Sequence, residues 1–160
     1  MKSTIKNYEL RVRRVKLADA GAPYGEQVSA PDDVTRIAQI VIGDCAQELF
    51  CVFHLDIKNR VLGFSEVGRG GIDMCPVDPR VVFRTAIALG SSGLIAAHCH
   101  PSGDPTPSAE DIDLTKRLKA AGELLGIPVL DRLYLAIAQA TKVRLKCRST
   151  GYNSDRRYRP

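Results

Sequence analysis

Apolar and polar positions change period several times along the chain, and each change predicts an element. Residues 20–31 run Ala-Gly-Ala-Pro-Tyr-Gly through Ala-Pro and predict a loop. From Asp32 or Asp33 a short helix is expected to about Ile42, with an aspartate as N-cap and Gly43 as its stop. Residues 48–57 (Glu-Leu-Phe-Cys-Val-Phe-His-Leu-Asp-Ile) are a largely apolar run of strand length. Lys58-Asn59 then forms a turn, residues 60–67 return as the second strand of a hairpin, and residues 68–71 interrupt the sheet.

Asp78-Pro79 opens a helix with aspartate as cap and proline at the first helical position, and Gly90 closes it after Leu89. Residues 93–97 (Gly-Leu-Ile-Ala-Ala) are short and wholly apolar, as a strand buried on both faces requires. A Pro/Gly/Ser loop at 101–107 leads into an amphipathic helix from about Ser108 to Leu125, stopped by Gly126 and Pro128. Strands at Val129 to Ile137 and Val143 to Arg148 complete the order. An initial helix followed by β-β-α-β-α-β-β is an α/β (α+β) arrangement, one mixed-sheet domain flanked by helices.

Composition narrows the class. The chain has 160 residues, 44% hydrophobic and 26% charged, which suits one domain with an ordinary core. No apolar run approaches the length of a membrane span, and the first 16 residues lack the apolar stretch of a secretory signal. Five cysteines without a CxxC pair (Cys45, Cys51, Cys75, Cys99, Cys147) argue against a disulfide framework and for a reducing, cytoplasmic setting. The net charge of +5 is unevenly spread. Residues 1–16 and 142–160 together carry +11, and the middle carries −6. The basic ends fit a solvated edge strand and tail first, and a weak contact with nucleic acid second.

Candidate chemistry is concentrated between His98 and Asp111. His98 and His100 stand at i and i+2 at the end of a predicted strand, so both rings project from one face. Asp111 falls in the first turn of the next helix. Two imidazoles and a carboxylate form the ligand set of an open catalytic zinc site, and such a metal acidifies water and polarises a carbonyl. A His-x-His pair is also a common pair of strand residues, and Ser108 with Asp111 also reads as a capping box. The readings are compatible, because a capping serine at a cleft can donate to an oxyanion.

The whole string, His98-Cys99-His100-Pro101-Ser102-Gly103-Asp104-Pro105-Thr106-Pro107-Ser108-Ala109-Glu110-Asp111, resembles the H-x-H-x7-S-x2-D signature of the JAMM (MPN-plus) zinc hydrolases. Its local form is similar to the RadC branch of that superfamily. The likeness continues through 55–60, 78–84 and 124–131 and covers roughly residues 33–138. It implies a JAB/MPN-like fold, a cytidine-deaminase-like sandwich. It also implies a basic strand/loop extension at 1–32, the RadC-like domain at 33–148 and a basic tail at 149–160 expected to be disordered.

By this resemblance His98, His100 and Asp111 hold one zinc ion per chain and Ser108 steadies the oxyanion. A glutamate at the start of an upstream strand is the general base. Glu48 matches that position best, and Glu66, at the end of the next strand, is its competitor. The implied reaction is hydrolysis of a peptide or isopeptide-linked protein substrate. The alternative is a DNA-associated accessory protein of repair or mobile elements, with the site vestigial or directed at nucleic acid. A non-catalytic interaction scaffold is the third reading.

Several positions depart from the RadC pattern. Cys99 replaces the usual Asn between the histidines and reads as a buried, inert thiol. Arg132 stands where the family has His after Leu-Asp, which puts the carry-over of activity in doubt more than that of metal binding. The turn Gly68-Arg69-Gly70-Gly71 lacks phosphate-loop spacing. RadC proteins often carry a helix-hairpin-helix domain for which this chain has no room. His54, inside an apolar strand, reads as a packed side chain.

Overall fold

The computed structural model describes residues 24–42, 47–70, 77–100, 106–136 and 146–149. Along the chain it contains α1 (Pro31–Ile42), β1 (Leu49–Leu55), β2 (Val61–Arg69), α2 (Pro79–Leu89), β3 (Gly93–His100), α3 (Ala109–Leu125), β4 (Val129–Ala136) and β5 (Lys146–Ser149). The five strands form one mixed sheet in the order β2-β1-β3-β4-β5. β1 pairs antiparallel with β2 and β3, β3 pairs parallel with β4, and β4 pairs antiparallel with β5. The one parallel pair is joined through α3, as a parallel pair requires a crossover.

The period-2 alternation of the central strands divides the core in two. Leu49, Cys51, Phe53 and Leu55 of β1, with Ile95, Ala97 and Cys99 of β3, pack against Val34, Ile37 and Ala38 of α1. Phe50 and Val52, with Leu94 and Ala96, pack on the opposite face against Val82, Phe83 and Ala86 of α2 and Leu118 of α3. All seven residues of β1 are buried, which accounts for its unbroken apolar run. The even positions of β3 continue as His98 and His100, so both histidines belong to the α3 face.

Local chemistry sets the element ends. Asp78 accepts from the Arg80 amide as N-cap of α2, and Gly90 closes that helix in the left-handed conformation. In the hairpin turn Asn59 has φ 57°, and the Asp56 carboxylate accepts from the amides of Lys58 and Arg60.

Four expectations need correction. α1 starts at Pro31, and Asp33 lies in its first turn; its carboxylate reaches back to the amides of Ser29 and Ala30 at 2.9 and 3.0 Å. Proline favours the first helical position, which moves aspartate from cap to third residue. β2 does not stop at 67: Gly68 pairs with Phe50, and Arg69 with Leu49. Hydrogen bonding to the central strand outweighs the glycine signal there. β3 runs through His100, because antiparallel pairing with β1 carries the strand past Ala97. Cys99 is buried on the α1 face, as its parity demands, but is disulfide-bonded. Sequence spacing did not reveal that approach.

Residues 1–23, 43–46, 71–76, 101–105, 137–145 and 150–160 lie outside the described residues. The Gly43 stop, the 101–105 part of the Pro-rich loop, and most of the basic extension and tail fall there. Among the described residues no helix is long and apolar enough to cross a membrane.

Candidate metal centre

Two elements meet at the C-terminal end of β3. β3 presents His98 and His100, and the first turn of α3 presents Asp111. Nδ1 of His98 lies 2.9 Å from Oδ1 of Asp111 and 3.3 Å from Nε2 of His100. Nε2 of His100 lies 3.6 Å from Oδ2 of Asp111. One ligand atom from each of the three residues lies within 4.8 Å of the other two, close enough for a single ion to engage all three. Two imidazoles and a carboxylate are donors that suit zinc, so this group could hold a metal.

Asp111 is placed by its helix. Ser108 is the N-cap of α3, and its Oγ accepts from the Asp111 amide at 3.1 Å. The Asp111 Oδ2 accepts in return from the Ser108 amide at 3.0 Å and from its hydroxyl at 2.8 Å. This is the reciprocal capping box. Burial works against the charge of Asp111, but hydrogen bonds from His98 and Ser108 outweigh it and hold the carboxyl well below the usual carboxylate range. The buried carboxylate is thus ionised, as a ligand must be.

The two candidate bases have different surroundings. Phe50 pairs with His98 and Leu49 with Cys99, so Glu48 falls level with His100 and shares the parity of Phe50. Its Oε2 lies 4.0 Å from Nε2 of His98. Glu66 instead pairs with Cys51, whose side chain faces α1, and cross-strand partners project to the same face. Its carboxylate takes two hydrogen bonds from Arg69, at 2.9 and 2.8 Å, which lower its pKa.

Sequence reasoning missed the surroundings of Asp111. Arg132 on β4 is fully buried, and its Nη2 donates to Oδ1 of Asp111 at 2.7 Å. Its Nη1 donates to the Asp111 carbonyl and to Oγ1 of Thr115. The guanidinium carbon stands 5.1 Å over the centroid of the Phe50 ring, and the His98 ring centroid lies 5.9 Å from that of Phe50. Thr115 was accessible as the i+4 neighbour of Asp111 on one helix face. Phe50 required the register of β1 against β3. His54 is packed as expected, its ring held between Ser91 and Ser65.

A mixed sheet covered by helices on both faces, with a His-x-His strand end meeting a capped helical aspartate, defines a JAB/MPN-like domain. The chain belongs to the RadC-like JAB domain family, whose profile matches residues 28–143. It is 47% identical over 105 residues to a UPF0758 protein of Carboxydothermus hydrogenoformans, covering 66% of this chain and 46% of that protein. A UPF0758 protein of Caldanaerobacter subterraneus is 37% identical over 134 residues, covering 84% of this chain and 57% of the relative. A third, from Staphylococcus haemolyticus, is 43% identical over 109 residues, covering 68% and 48%. The chain spans about half the length of these curated relatives.

Proposed function

We propose that this domain is a zinc-dependent hydrolase of amide carbonyls, with a peptide or isopeptide-linked protein as substrate and one ion per chain. The observation that carries this reading is the convergence of His98, His100 and Asp111 with Glu48 on one face of the sheet. Zinc, when bound, supplies a Lewis acid that polarises a carbonyl and acidifies water.

The chain's own groups would divide the remaining work. Glu48 takes the proton released as water attacks the carbonyl carbon. It returns that proton to the departing amine nitrogen when the C–N bond breaks. The Ser108 hydroxyl, exposed at the mouth of α3, turns from Asp111 Oδ2 to donate to the oxyanion. The Ser108 amide and Arg132 fix the orientation of the Asp111 carboxylate throughout.

Elemental analysis of untagged protein beside Asp111→Ala tests the reading first. About one zinc per chain in the wild type, lost in the variant, supports it and warrants a screen of peptide and isopeptide substrates. No zinc after reconstitution would overturn it. A second reading, contact with nucleic acid, rests on the +11 charge of the two ends of the chain. It requires binding that weakens steeply with salt and falls when residues 152–160 are removed.

A further inference from the structure

We infer that Arg132 is a positioning residue for the metal centre, its guanidinium holding Asp111 in a ligand-ready orientation. This inference rests on the zinc-site reading above. It concerns a residue by which this chain departs from the family pattern.

Arg132 is fully buried on β4, next to the central strand β3, where an apolar residue would pack at no electrostatic cost. A buried guanidinium persists there only if its donors find matched acceptors. The Arg132 fork reaches three, all on the first turns of α3. Nη2 donates to Oδ1 of Asp111 at 2.7 Å, and Nη1 donates to the Asp111 carbonyl and, at 2.6 Å, to Oγ1 of Thr115. Thr115 Oγ1 donates in turn to the same carbonyl at 2.7 Å. The fork therefore grips both the side chain and the backbone of one residue.

Such a grip has a specific consequence. Ser108 fixes Oδ2 of Asp111 from the helix cap, and Arg132 fixes Oδ1 from the sheet. Neither oxygen can swing away from His98 and His100 without breaking a charge-assisted bond. The stack of Arg132 on Phe50, whose other neighbour is the His98 ring, ties one ligand's support to a second ligand. Lysine cannot substitute, because its single ammonium cannot bridge carboxylate and carbonyl in a plane as the fork does.

The test is zinc affinity, measured by competition with a chromogenic chelator, together with the Co2+ absorption spectrum. Wild type, Arg132→Lys, Arg132→Met and Asp111→Ala are compared, with the metal-free melting temperature of each recorded. Arg132→Lys retains the buried positive charge and is the deciding variant. It is expected to bind zinc roughly 10- to 100-fold more weakly, with an altered Co2+ spectrum. Arg132→Met, if folded, should lose at least as much. Wild-type affinity and spectrum in Arg132→Lys would overturn the inference while leaving the metal site intact. A wild type that binds no metal would instead overturn the site reading itself.

Discussion

The carboxylate of Glu48 stands 4.0 Å from Nε2 of His98, although fifty residues separate them in the chain. Antiparallel pairing of β1 with β3 brings them together, and shared parity turns both toward α3. Glu48→Gln is therefore expected to keep zinc at wild-type stoichiometry and to lower kcat by about 10²- to 10⁴-fold, the range of a lost general base. Glu66→Gln, on the α1 face and tied to Arg69, should leave turnover unchanged. Zinc-replete Glu48→Gln protein that hydrolyses substrate at the wild-type rate would remove Glu48 from the mechanism.

In the proposed mechanism Ser108 serves the helix and the site with one hydroxyl. Ser108→Ala should cost about 1 kcal/mol of stability through the lost cap, read as a lower melting temperature. It should also reduce kcat by about 10²- to 10³-fold through the lost oxyanion donor. Ser108→Thr keeps the hydroxyl and is expected to recover most of both. A drop in melting temperature with kcat intact would assign Ser108 to the cap alone.

Elements with strong local signals were legible in the sequence. The α2 boundaries follow from Asp78-Pro79 and Gly90, and the hairpin turn from Asp56 to Arg60, because capping and turn bonds form between near neighbours. The candidate ligand group was legible for the same reason: His98 and His100 are two apart, and Asp111 lies in the first turn of the following helix, three residues after its cap. What separates Glu48 from Glu66 is not local. It depends on which face of the sheet each residue occupies, and a bulge between Phe50 and Cys51 shifts the register of β1 against β2. Arg132 misled for a related reason. Taken as a departure from a family pattern, it read as a lost tuning group, whereas the parallel pairing of β3 with β4 makes it a direct support of Asp111.

Gly122 marks the closest approach of α3 to the chain leading into β4. A Cβ at this position would stand 2.6 Å from the backbone oxygen of Ile127 and 3.4 Å from the Phe83 ring. The carbonyl belongs to the turn that closes α3, where the Ile127 amide also donates to the Gly122 carbonyl at 2.9 Å, so it has little room to retreat. Gly122→Ala should therefore destabilise the domain by about 1–3 kcal/mol, the range for overpacking, despite alanine's better helix propensity. Denaturant unfolding checks this. A variant as stable as wild type would mean that the α3–β4 turn adjusts freely.

His54 gives the fold a pH dependence separable from the candidate metal site. Its ring is fully buried, with Nδ1 3.1 Å from the Ser91 hydroxyl and Nε2 2.9 Å from the Ser65 hydroxyl. Hydroxyls can donate or accept, so the pair satisfies a neutral imidazole, one nitrogen donating and the other accepting. Burial penalises the charged form and lowers the pKa from 6.5 to about 4. Above pH 6.5 the ring is neutral in folded and unfolded chains alike, and it adds no pH dependence. Between 6.5 and 4 the unfolded chain takes up a proton that the folded one refuses, so stability falls with pH by about 3 kcal/mol in total. His54→Gln should flatten this segment of the curve, because the groups other than His54 are the same in both proteins. Urea unfolding of the metal-free proteins from pH 7.5 to 4 measures the difference. Parallel curves would show that His54 takes up its proton inside the fold.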